Sequence, residues 1–271
     1  MINTDVRPAL PISVDNQLTA VSSFFADFFV KNTDADLQAY LQWLDKEENP
    51  PKSYREHPID SEQQLNQFKK TFEKTTCMSL GAYVRIKRAY FILNSKNQYQ
   101  NICQFSYVYT PIGNMLAIFA QGKLCLLEFL ERKMLETELN QIIKDKKCQF
   151  EFINTSSNLS AQTLQNQLDE YFAGKRVEFD IPLEAVGTPF QQAVWQTLQT
   201  IDYGKTISYQ DEAEKMGKPT AMRAVANANG KNKISIIIPC HRVIRKSGDL
   251  GGYGGGLWRK RFLLALEDNT A

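Results

Sequence analysis

Histidines and paired cysteines are scarce in this sequence. It has two histidines and five cysteines, and no two cysteines are spaced as Cys-x-x-Cys. An odd, scattered set of cysteines argues against both a disulfide framework and a structural zinc site. The cysteines are Cys77, Cys103, Cys125, Cys148 and Cys240. We interpret the first four as reduced thiols of a cytosolic protein and consider Cys240 separately.

Long apolar runs are also absent. No stretch reaches about 18 apolar residues, so we expect no transmembrane helix and no membrane partner. The start of the chain, MINTDVRPALPISVDN, lacks a basic segment followed by an apolar one, so no secretory signal is predicted. At 271 residues, with 43% hydrophobic and 23% charged residues, the chain is typical of a globular protein with two or three domains.

The net charge of +2 excludes no class of partner, but the positive charge is concentrated in one segment. Between Arg223 and Arg261 there are nine lysines and arginines and one acid, Asp249. Such an excess suits a polyanion, because each basic side chain placed on a phosphate releases counterions. A solvated basic face without a ligand is the alternative.

The N-terminal region is polar and weakly patterned. Apolar residues between Leu37 and Leu44 have helical spacing and predict a short helix ahead of Pro50-Pro51. Residues 61–93, SEQQLNQFKKTFEKTTCMSLGAYVRIKRAYFIL, predict two short helices with a basic second member, which is typical of a helix-turn-helix. This stretch resembles the closing half of an AraC-type DNA-binding domain, with Cys77 in place of the usual Gly and Leu80 in place of a common Pro. Both a DNA reader and a degenerate module that only packs against its neighbour remain open.

From Cys103 the pattern changes to alternating apolar and polar residues. The segment CQFSYVYTPIGNMLAIFAQGKLCLLEFL, with a turn at Gln121-Gly122, predicts a β-meander. Residues 131–143 and 160–173 have helical spacing, and RVEFDIPL predicts another strand. These elements predict a small α+β unit that ends near residue 182.

The last part of the chain predicts a helical domain. Thr188 and Pro189 are typical of a helix start in GTPFQQAVWQTLQTI. The segment ISYQDEAEKMGKPTAMRAVANANGKNK then has the outline of a second helix-turn-helix. Its second helix is rich in alanine around Arg223, so its backbone can come close to a partner. Close packing between helices is the alternative explanation.

Cys240 and His241 are adjacent in ISIIIPCHRVIR, which predicts a strand ending at Pro239. A thiolate is a strong nucleophile, but a thiol needs a base or a positive neighbour to ionise near neutral pH. Side chains of adjacent strand residues point to opposite faces, so contact within the pair requires a bend at Pro239 or a bridging water. We choose Glu267 as the acid that orients the imidazole, as in Cys-His-acid sites. An inert buried thiol is the alternative.

The motif IPCHRV, preceded by SYQ and MRAVANANGKN and followed by GGYGGGLWRKRFLLALE, resembles the C-terminal domain of the O6-alkylguanine-DNA alkyltransferases. The resemblance covers residues 103–271 and is dense from residue 183. It implies repair of double-stranded DNA by irreversible transfer of an alkyl group from guanine O6 to the protein's own cysteine, once per molecule. It also implies flipping of the damaged base from the minor groove, because a thiol cannot reach the alkyl carbon inside a duplex. We expect O4-methylthymine as a further substrate, no cofactor, no metal and a monomeric, nucleoid-associated protein in the cytoplasm.

The resemblance implies a role for each matching residue. It makes Cys240 the alkyl acceptor, His241 a base that acts through a water, and Glu267 the group that orients the imidazole. It makes Asn232 a link between the active-site loop and the helix-turn-helix, and Tyr209 the proton donor to the leaving guanine. The remaining residues are expected to bind substrate or DNA: Arg223 as the finger that fills the gap left by the flipped base, Tyr253 and Gly254 in the loop over the base, and Ala224 and Lys260.

Two residues depart from the family's pattern. Lys233 replaces a Pro found in many relatives, although adaptive-response (Ada-type) members are similar here. Gly254 replaces a Ser that can contact the flipped base in some members, and we expect this loss to widen the entrance enough for O6-benzylguanine. Only Cys77 precedes residue 100, so the N-terminal zinc domain of Ada-type proteins is not expected.

Other functions are compatible with parts of this pattern. A non-enzymatic sensor of alkyl damage would lack the acceptor thiol, and a vestigial Ada-like transcription regulator would act through residues 60–93. A Cys-His-Glu hydrolase would leave the basic segment unexplained.

The predicted fold class is α+β. Residues 1–100 form a helical segment with the degenerate AraC-like helix-turn-helix, and residues 101–182 form a small α/β domain of the RNase H-like type. Residues 183–271 form a helical alkyltransferase domain with its own helix-turn-helix.

Overall fold

The structure, a computed structural model, describes residues 35–44, 50–53, 62–76 and 78–270. Among these residues, three helices come first: α1 (Ala35–Leu44), α2 (Glu62–Thr76) and α3 (Leu80–Asn94). The predicted helix before Pro50 is therefore confirmed. Ser79 caps α3 by accepting a hydrogen bond from the backbone amide of Ala82. Cys77, one of the two departures from the AraC-type pattern, lies outside the described residues.

A four-stranded sheet follows, made of β1 (Asn101–Thr110), β2 (Gly113–Ala120), β3 (Lys123–Phe129) and β4 (Cys148–Phe152), in the spatial order β3-β2-β1-β4. The antiparallel meander confirms the predicted one, and β4 pairs parallel to β1. Gln121 and Gly122 form the turn between β2 and β3, and both have positive φ (50° and 77°), as a two-residue hairpin turn requires. The helices of this part are α4 (Leu135–Lys146) and α5 (Leu159–Phe172).

Both faces of the sheet are buried, against different helices. Leu116 and Ile118 of β2 belong to a core shared with α1–α3 and α4. Their neighbours Ala117 and Phe119 belong to a second core, formed with α5 and the C-terminal helices. Burial of both faces explains why β2 and β3 are almost continuously apolar.

The edge of the sheet at β3 is covered by two later segments. Leu124 exchanges backbone hydrogen bonds with Pro182 and Glu184, while Leu127 exchanges them with Lys233 and Ser235. RVEFDIPL forms only an isolated bridge at Leu183, so the prediction of a full strand there is wrong. Only the end of this segment pairs with the edge of β3, and the described residues before it do not pair with a strand.

The C-terminal domain is mostly helical. The predicted cap is confirmed, because Thr188 and Gln191 form a reciprocal capping box at the start of α6 (Pro189–Leu198). The second helix-turn-helix is also confirmed as a pair of short helices, joined through a 3-10 turn at Pro219–Ala221. The elements after α6 are β5 (Ile207–Ser208), α7 (Tyr209–Lys215), α8 (Met222–Asn229), β6 (Val243–Ile244) and α9 (Leu257–Thr270).

Two of the three basic residues of α3, Arg85 and Arg88, make contacts within the fold. The guanidinium of Arg88 pairs with both carboxylate oxygens of Glu136 (2.6 and 2.5 Å) and donates to the carbonyl of Pro50. Arg85 donates to the backbone carbonyl of Glu131 at 2.6 Å. These contacts favour the module that packs against its neighbour over the DNA reader.

Within the described ranges, no helix is both long enough and apolar enough to cross a membrane.

We expect Arg88→Ala to lower the free energy of unfolding by about 2–3 kcal/mol, because it leaves the half-buried carboxylate of Glu136 without its partner. Urea denaturation measures this loss. The matched control is Lys74→Ala at an exposed position of α2, which should change the free energy of unfolding by less than about 0.5 kcal/mol. An Arg88→Ala protein as stable as this control would contradict the packing role.

Candidate active site

The loop before Cys240 is not the predicted strand. Residues 235–237 form turns, and Cys240–Arg242 form a single 3-10 turn. The amide of Ile238 bonds the carbonyl of Ile234, and the amide of Cys240 bonds the carbonyl of Ile238. Ile236 has φ = 74°, which is rare for a β-branched residue and is retained where surrounding structure enforces it. Pairing of Lys233 and Ser235 with the edge of β3 supplies that structure, and the apolar run that resembles a strand is folded back on itself.

Asn232 joins this loop to the end of α8. Its side-chain amide donates to the carbonyl of Ile238 (2.8 Å) and to Sγ of Cys240 (3.3 Å). Its side-chain oxygen accepts from the amide of Ile234 (3.0 Å). Asn232, eight residues before Cys240 in the chain, therefore supplies a hydrogen-bond donor to the sulfur.

Glu267 on α9 is buried and surrounded by donors. Its Oε1 accepts from Nε2 of His241 (2.8 Å), the hydroxyl of Tyr171 (2.7 Å) and Nη2 of Arg242 (3.0 Å). Its Oε2 accepts from Nε of Arg242 (2.8 Å) and the amide of Gly204 (3.3 Å). Although burial opposes ionisation, His241 and Arg242 hold the pKa of Glu267 well below its usual range.

The contact with Glu267 determines the tautomer of His241. An ionised carboxylate can only accept, so Nε2 carries the proton and Nδ1 presents its lone pair. Burial lowers the pKa of His241, so the imidazole is neutral at neutral pH. Nδ1 is buried and has no hydrogen-bond partner among the described residues. The ring thus holds an available proton acceptor on the side away from Glu267.

Cys240 is a thiol at rest. Burial raises its pKa above the ordinary value of 9.0, while the hydrogen bond from Asn232 and the nearby charges of Arg132 and Lys260 oppose that rise. A neutral imidazole and a neutral thiol therefore coexist near neutral pH. Ionisation of the sulfur requires transfer of its proton to an acceptor.

Cys240 lines an open cavity of about 1120 Å³. Tyr209, at the start of α7, and Tyr253 line it as well. Burial and the neighbouring sulfur raise the pKa of both tyrosines, so their hydroxyls stay protonated. Arg223, on α8, is exposed at the rim, and the next residue, Ala224, is exposed as well but does not line the cavity.

Lys260 is buried, although the sequence predicted that it contacts DNA. It has no solvent exposure, and its Nζ donates to the carbonyls of Val243 (2.5 Å), Leu250 and Gly252 (3.5 Å). Burial lowers its pKa to about 8. This position corrects the expected DNA contact: the ammonium holds the base of the 250–252 loop instead.

Gly254 is exposed at the cavity wall, but the space beside it is occupied. A Cβ at this position would lie 1.9 Å from Nη1 of Arg132. The expectation that Gly254 widens the entrance therefore does not match this geometry, because a guanidinium fills the volume that the missing side chain leaves.

The sequence pattern predicted the Cys240, His241 and Glu267 group but missed three supporting residues. Arg242 is part of the motif IPCHRV, directly after His241, and could have been noticed as a second basic neighbour of the carboxylate. Tyr171 and Arg132 come from the α/β part of the chain, and no local pattern indicates their contacts. Across the described residues, no group of three or more His, Cys, Asp and Glu side chains is arranged to hold a metal.

Comparisons with known proteins find one family over two parts of the chain. Residues 189–269 match the family model described as 6-O-methylguanine DNA methyltransferase, DNA binding domain. Residues 104–185 match the ribonuclease-like domain of the same family.

Individual relatives match the same part of the chain. A methylated-DNA–protein-cysteine methyltransferase of Methanosarcina barkeri is 42% identical over 167 residues, which are 61% of this chain and 98% of the relative. One of Mycobacterium bovis is 58% identical over 106 residues, or 39% of this chain, and the match spans only 64% of that relative's length. The crystal structure of Mycobacterium tuberculosis OGT in complex with DNA is similar with a TM-score of 0.52 and 40% identity, covering 62% of this chain and 94% of that one.

The pH dependence of unfolding tests the contacts of Glu267. The folded-state pKa of this residue lies below the unfolded value of about 4.3, so its stabilisation is complete above about pH 5 and is lost as the pH falls. We expect Glu267→Gln to lower the free energy of unfolding by about 3–5 kcal/mol at neutral pH. The difference from the unsubstituted protein should shrink by about 1–2 kcal/mol between pH 5 and pH 3.

Urea denaturation at a series of pH values measures both effects. Glu178→Gln, at an exposed position, serves as the matched control and should be neutral throughout. A difference between Glu267→Gln and the unsubstituted protein that stays constant with pH would contradict an ionised, stabilising carboxylate.

Proposed function

The chain belongs to the 6-O-methylguanine DNA methyltransferase family, and we propose that it repairs DNA by moving the alkyl group of O6-alkylguanine onto Cys240. One observation carries this proposal: Cys240 lies in an open cavity, hydrogen-bonded by Asn232, beside a neutral imidazole that Glu267 holds with an unpartnered nitrogen. An inert thiol has no need of such surroundings. The relatives' printed names describe the same chemistry.

DNA binds along α8 in this proposal. Arg223 and Ala224 are exposed there, and Arg223 lies at the rim of the cavity that contains Cys240. The alkylated guanine leaves the stack and enters the cavity, and Arg223 occupies the gap. The unstacking costs a few kcal/mol, which contacts within the cavity and with the phosphates offset.

The transfer step is a displacement at the alkyl carbon. The sulfur of Cys240 forms a bond to that carbon, and the bond from carbon to guanine O6 breaks. The thiol proton passes through a water to Nδ1 of His241, which Glu267 stabilises as it becomes charged. The leaving guanine takes a proton from the hydroxyl of Tyr209, and the proton on His241 then returns to that tyrosine through solvent.

The remaining residues shape the site. Tyr253 forms part of the wall beside the sulfur, and Gly254 leaves room for Arg132. Lys260 fixes the loop that carries them, through the carbonyls of Val243, Leu250 and Gly252. The product is a thioether that none of these groups can hydrolyse, so each molecule acts once. O4-methylthymine presents an alkyl carbon of similar reactivity and is the further substrate that we propose.

We propose that the three parts of the chain have separate tasks. Residues 183–271 bind DNA and carry out the transfer, and residues 101–182 support the active-site loop at the edge of β3. Within residues 1–100, helices α1–α3 cover the other face of the sheet, in keeping with the contacts of Arg85 and Arg88.

Intact-mass spectrometry after incubation with a duplex containing O6-methylguanine tests the transfer. We expect the protein to gain the mass of one methylene group per molecule, with no second event. Cys240→Ala should abolish the gain, whereas Cys103→Ala, at a buried cysteine far along the chain, should leave it intact. Repaired DNA without a change in the protein's mass would indicate a hydrolase. Tight binding to the duplex, with neither repaired DNA nor a change of mass, would indicate a damage sensor.

Labelling with free O6-benzylguanine tests the capacity of the cavity. The cavity of about 1120 Å³ is large enough for a guanine with an aromatic substituent, although Arg132 fills the space next to Gly254. We expect Cys240 to gain one benzyl group, located by peptide mass mapping. Methyl transfer without any benzyl transfer would show that the wall at Arg132 is too close for bulky groups.

A further inference from the structure

We propose that Arg132 is a positioning residue for the Cys240 site and that the wall it forms is the reason position 254 is glycine. The inference rests on the proposed alkyl transfer. Arg132 lies between β3 and α4, in the α/β part of the chain, and its side chain reaches the active-site loop about 100 residues later.

One side of the guanidinium holds the backbone that carries Asn232. Its Nη2 donates to the carbonyl of Gly230 (3.0 Å) and to that of Asn232 itself (3.1 Å). These carbonyls follow the end of α8, where the helix leaves its last carbonyls without partners in the helix. Because the side chain of Asn232 donates to Sγ of Cys240, fixing its peptide also fixes the donor to the sulfur.

The other side of the guanidinium is held by two buried carboxylates. Glu128 of β3 lies 2.9 Å from Nη1, and Glu138 of α4 lies 2.9 Å from Nη2. Glu128 also accepts a hydrogen bond from the hydroxyl of Ser235 in the active-site loop (2.7 Å). Arg132 is therefore held from both the sheet and the loop, and its side chain is only 4% exposed.

The position of the guanidinium excludes a side chain at residue 254. A Cβ on Gly254 would lie 1.9 Å from Nη1 and 2.7 Å from Cζ of Arg132, closer than non-bonded atoms approach. Arg132 has little freedom to move aside, because its carboxylate and carbonyl partners surround it. Both residues line the cavity that contains Cys240, so the guanidinium forms part of the wall that a bound base would meet.

The charge on Arg132 also acts on the sulfur. Besides the adjacent His241, the charged or titratable groups near Cys240 are Glu128, Arg132, Lys260, Tyr209 and Tyr253. Arg132 and Lys260 favour the thiolate, whereas Glu128 opposes it. Burial raises the pKa of Glu128 to about 7, so part of its opposing charge is absent near neutral pH.

A double-mutant cycle between Arg132→Gln and Gly254→Ala tests the exclusion. Gly254→Ala alone should slow methyl transfer about tenfold or more, because the new methyl group displaces the guanidinium. In the Arg132→Gln protein, the same glycine substitution should cost less than about twofold, because a shorter, neutral side chain can yield. Equal costs in the two backgrounds would overturn the proposal.

The reaction of Cys240 with iodoacetamide, without DNA, tests the charge. The rate is followed against pH by peptide mass mapping, which separates Cys240 from the other cysteines. Arg132→Gln should move the rise in rate to higher pH, and Arg132→Lys should restore most of the original profile. Glu138→Gln is the matched control, because it removes an ion pair of Arg132 and retains the guanidinium. An unchanged profile for Arg132→Gln would overturn the proposal.

Two provisions separate failure of this proposal from misfolding of a variant and from failure of the proposed function. If Arg132→Gln does not fold, Glu138→Gln/Arg132→Gln replaces it and is compared with Glu138→Gln alone. This variant removes the Glu138 carboxylate together with the guanidinium, and Glu128, whose pKa burial raises to about 7, can take up a proton. If the unsubstituted protein transfers no methyl group, the proposed function fails. The iodoacetamide profile still decides the role of Arg132, and the cycle is then run on this reaction instead of on methyl transfer.

Discussion

A carboxylate buried as deeply as that of Glu267 is tolerated only where donors surround it, because transfer of an unpaired charge out of water costs many kcal/mol. The arrangement around it follows from this requirement. Arg242 supplies two donors, Tyr171 and His241 supply one each, and the turn at Gly204 supplies an amide. Since Glu267 lies on α9 and His241 next to Cys240, the same carboxylate that must be satisfied also fixes the imidazole.

The site is assembled from both halves of the family fold. Tyr171 of α5 reaches Glu267, and Arg132 of the α/β part reaches the backbone of Asn232. Backbone pairing of Leu127 with Lys233 and Ser235 adds a third connection. The sheet therefore acts as a support for the reactive loop as well as a core in its own right. The N-terminal helices complete this support by burying its other face.

Local features of the fold could be predicted, and features that depend on distant contacts could not. The capping box at Thr188, the Gln121-Gly122 turn and the pair of helices around Gly217 each follow from residues a few positions apart. The runs 176–183 and 234–239 resemble strands because they are rich in β-branched and aromatic residues. Their conformation depends instead on which backbone groups at the edge of β3 are available. In the site, Glu267 could be chosen by chemical type, but nothing in the spacing connects Arg132 with residues about 100 positions later.

The edge of β3 has a further consequence. Its sequence, KLCLLEF, is apolar, and an uncovered edge strand of that kind is a template on which other chains can add. Pro182 to Glu184 occupy one part of this edge, and Lys233 to Ser235 occupy another. The loop that positions the sulfur of Cys240 thus also covers part of an apolar strand edge and keeps neighbouring molecules from pairing with it. Any event that pulled this loop from the sheet would impair the chemistry and expose the chain to self-association at the same time.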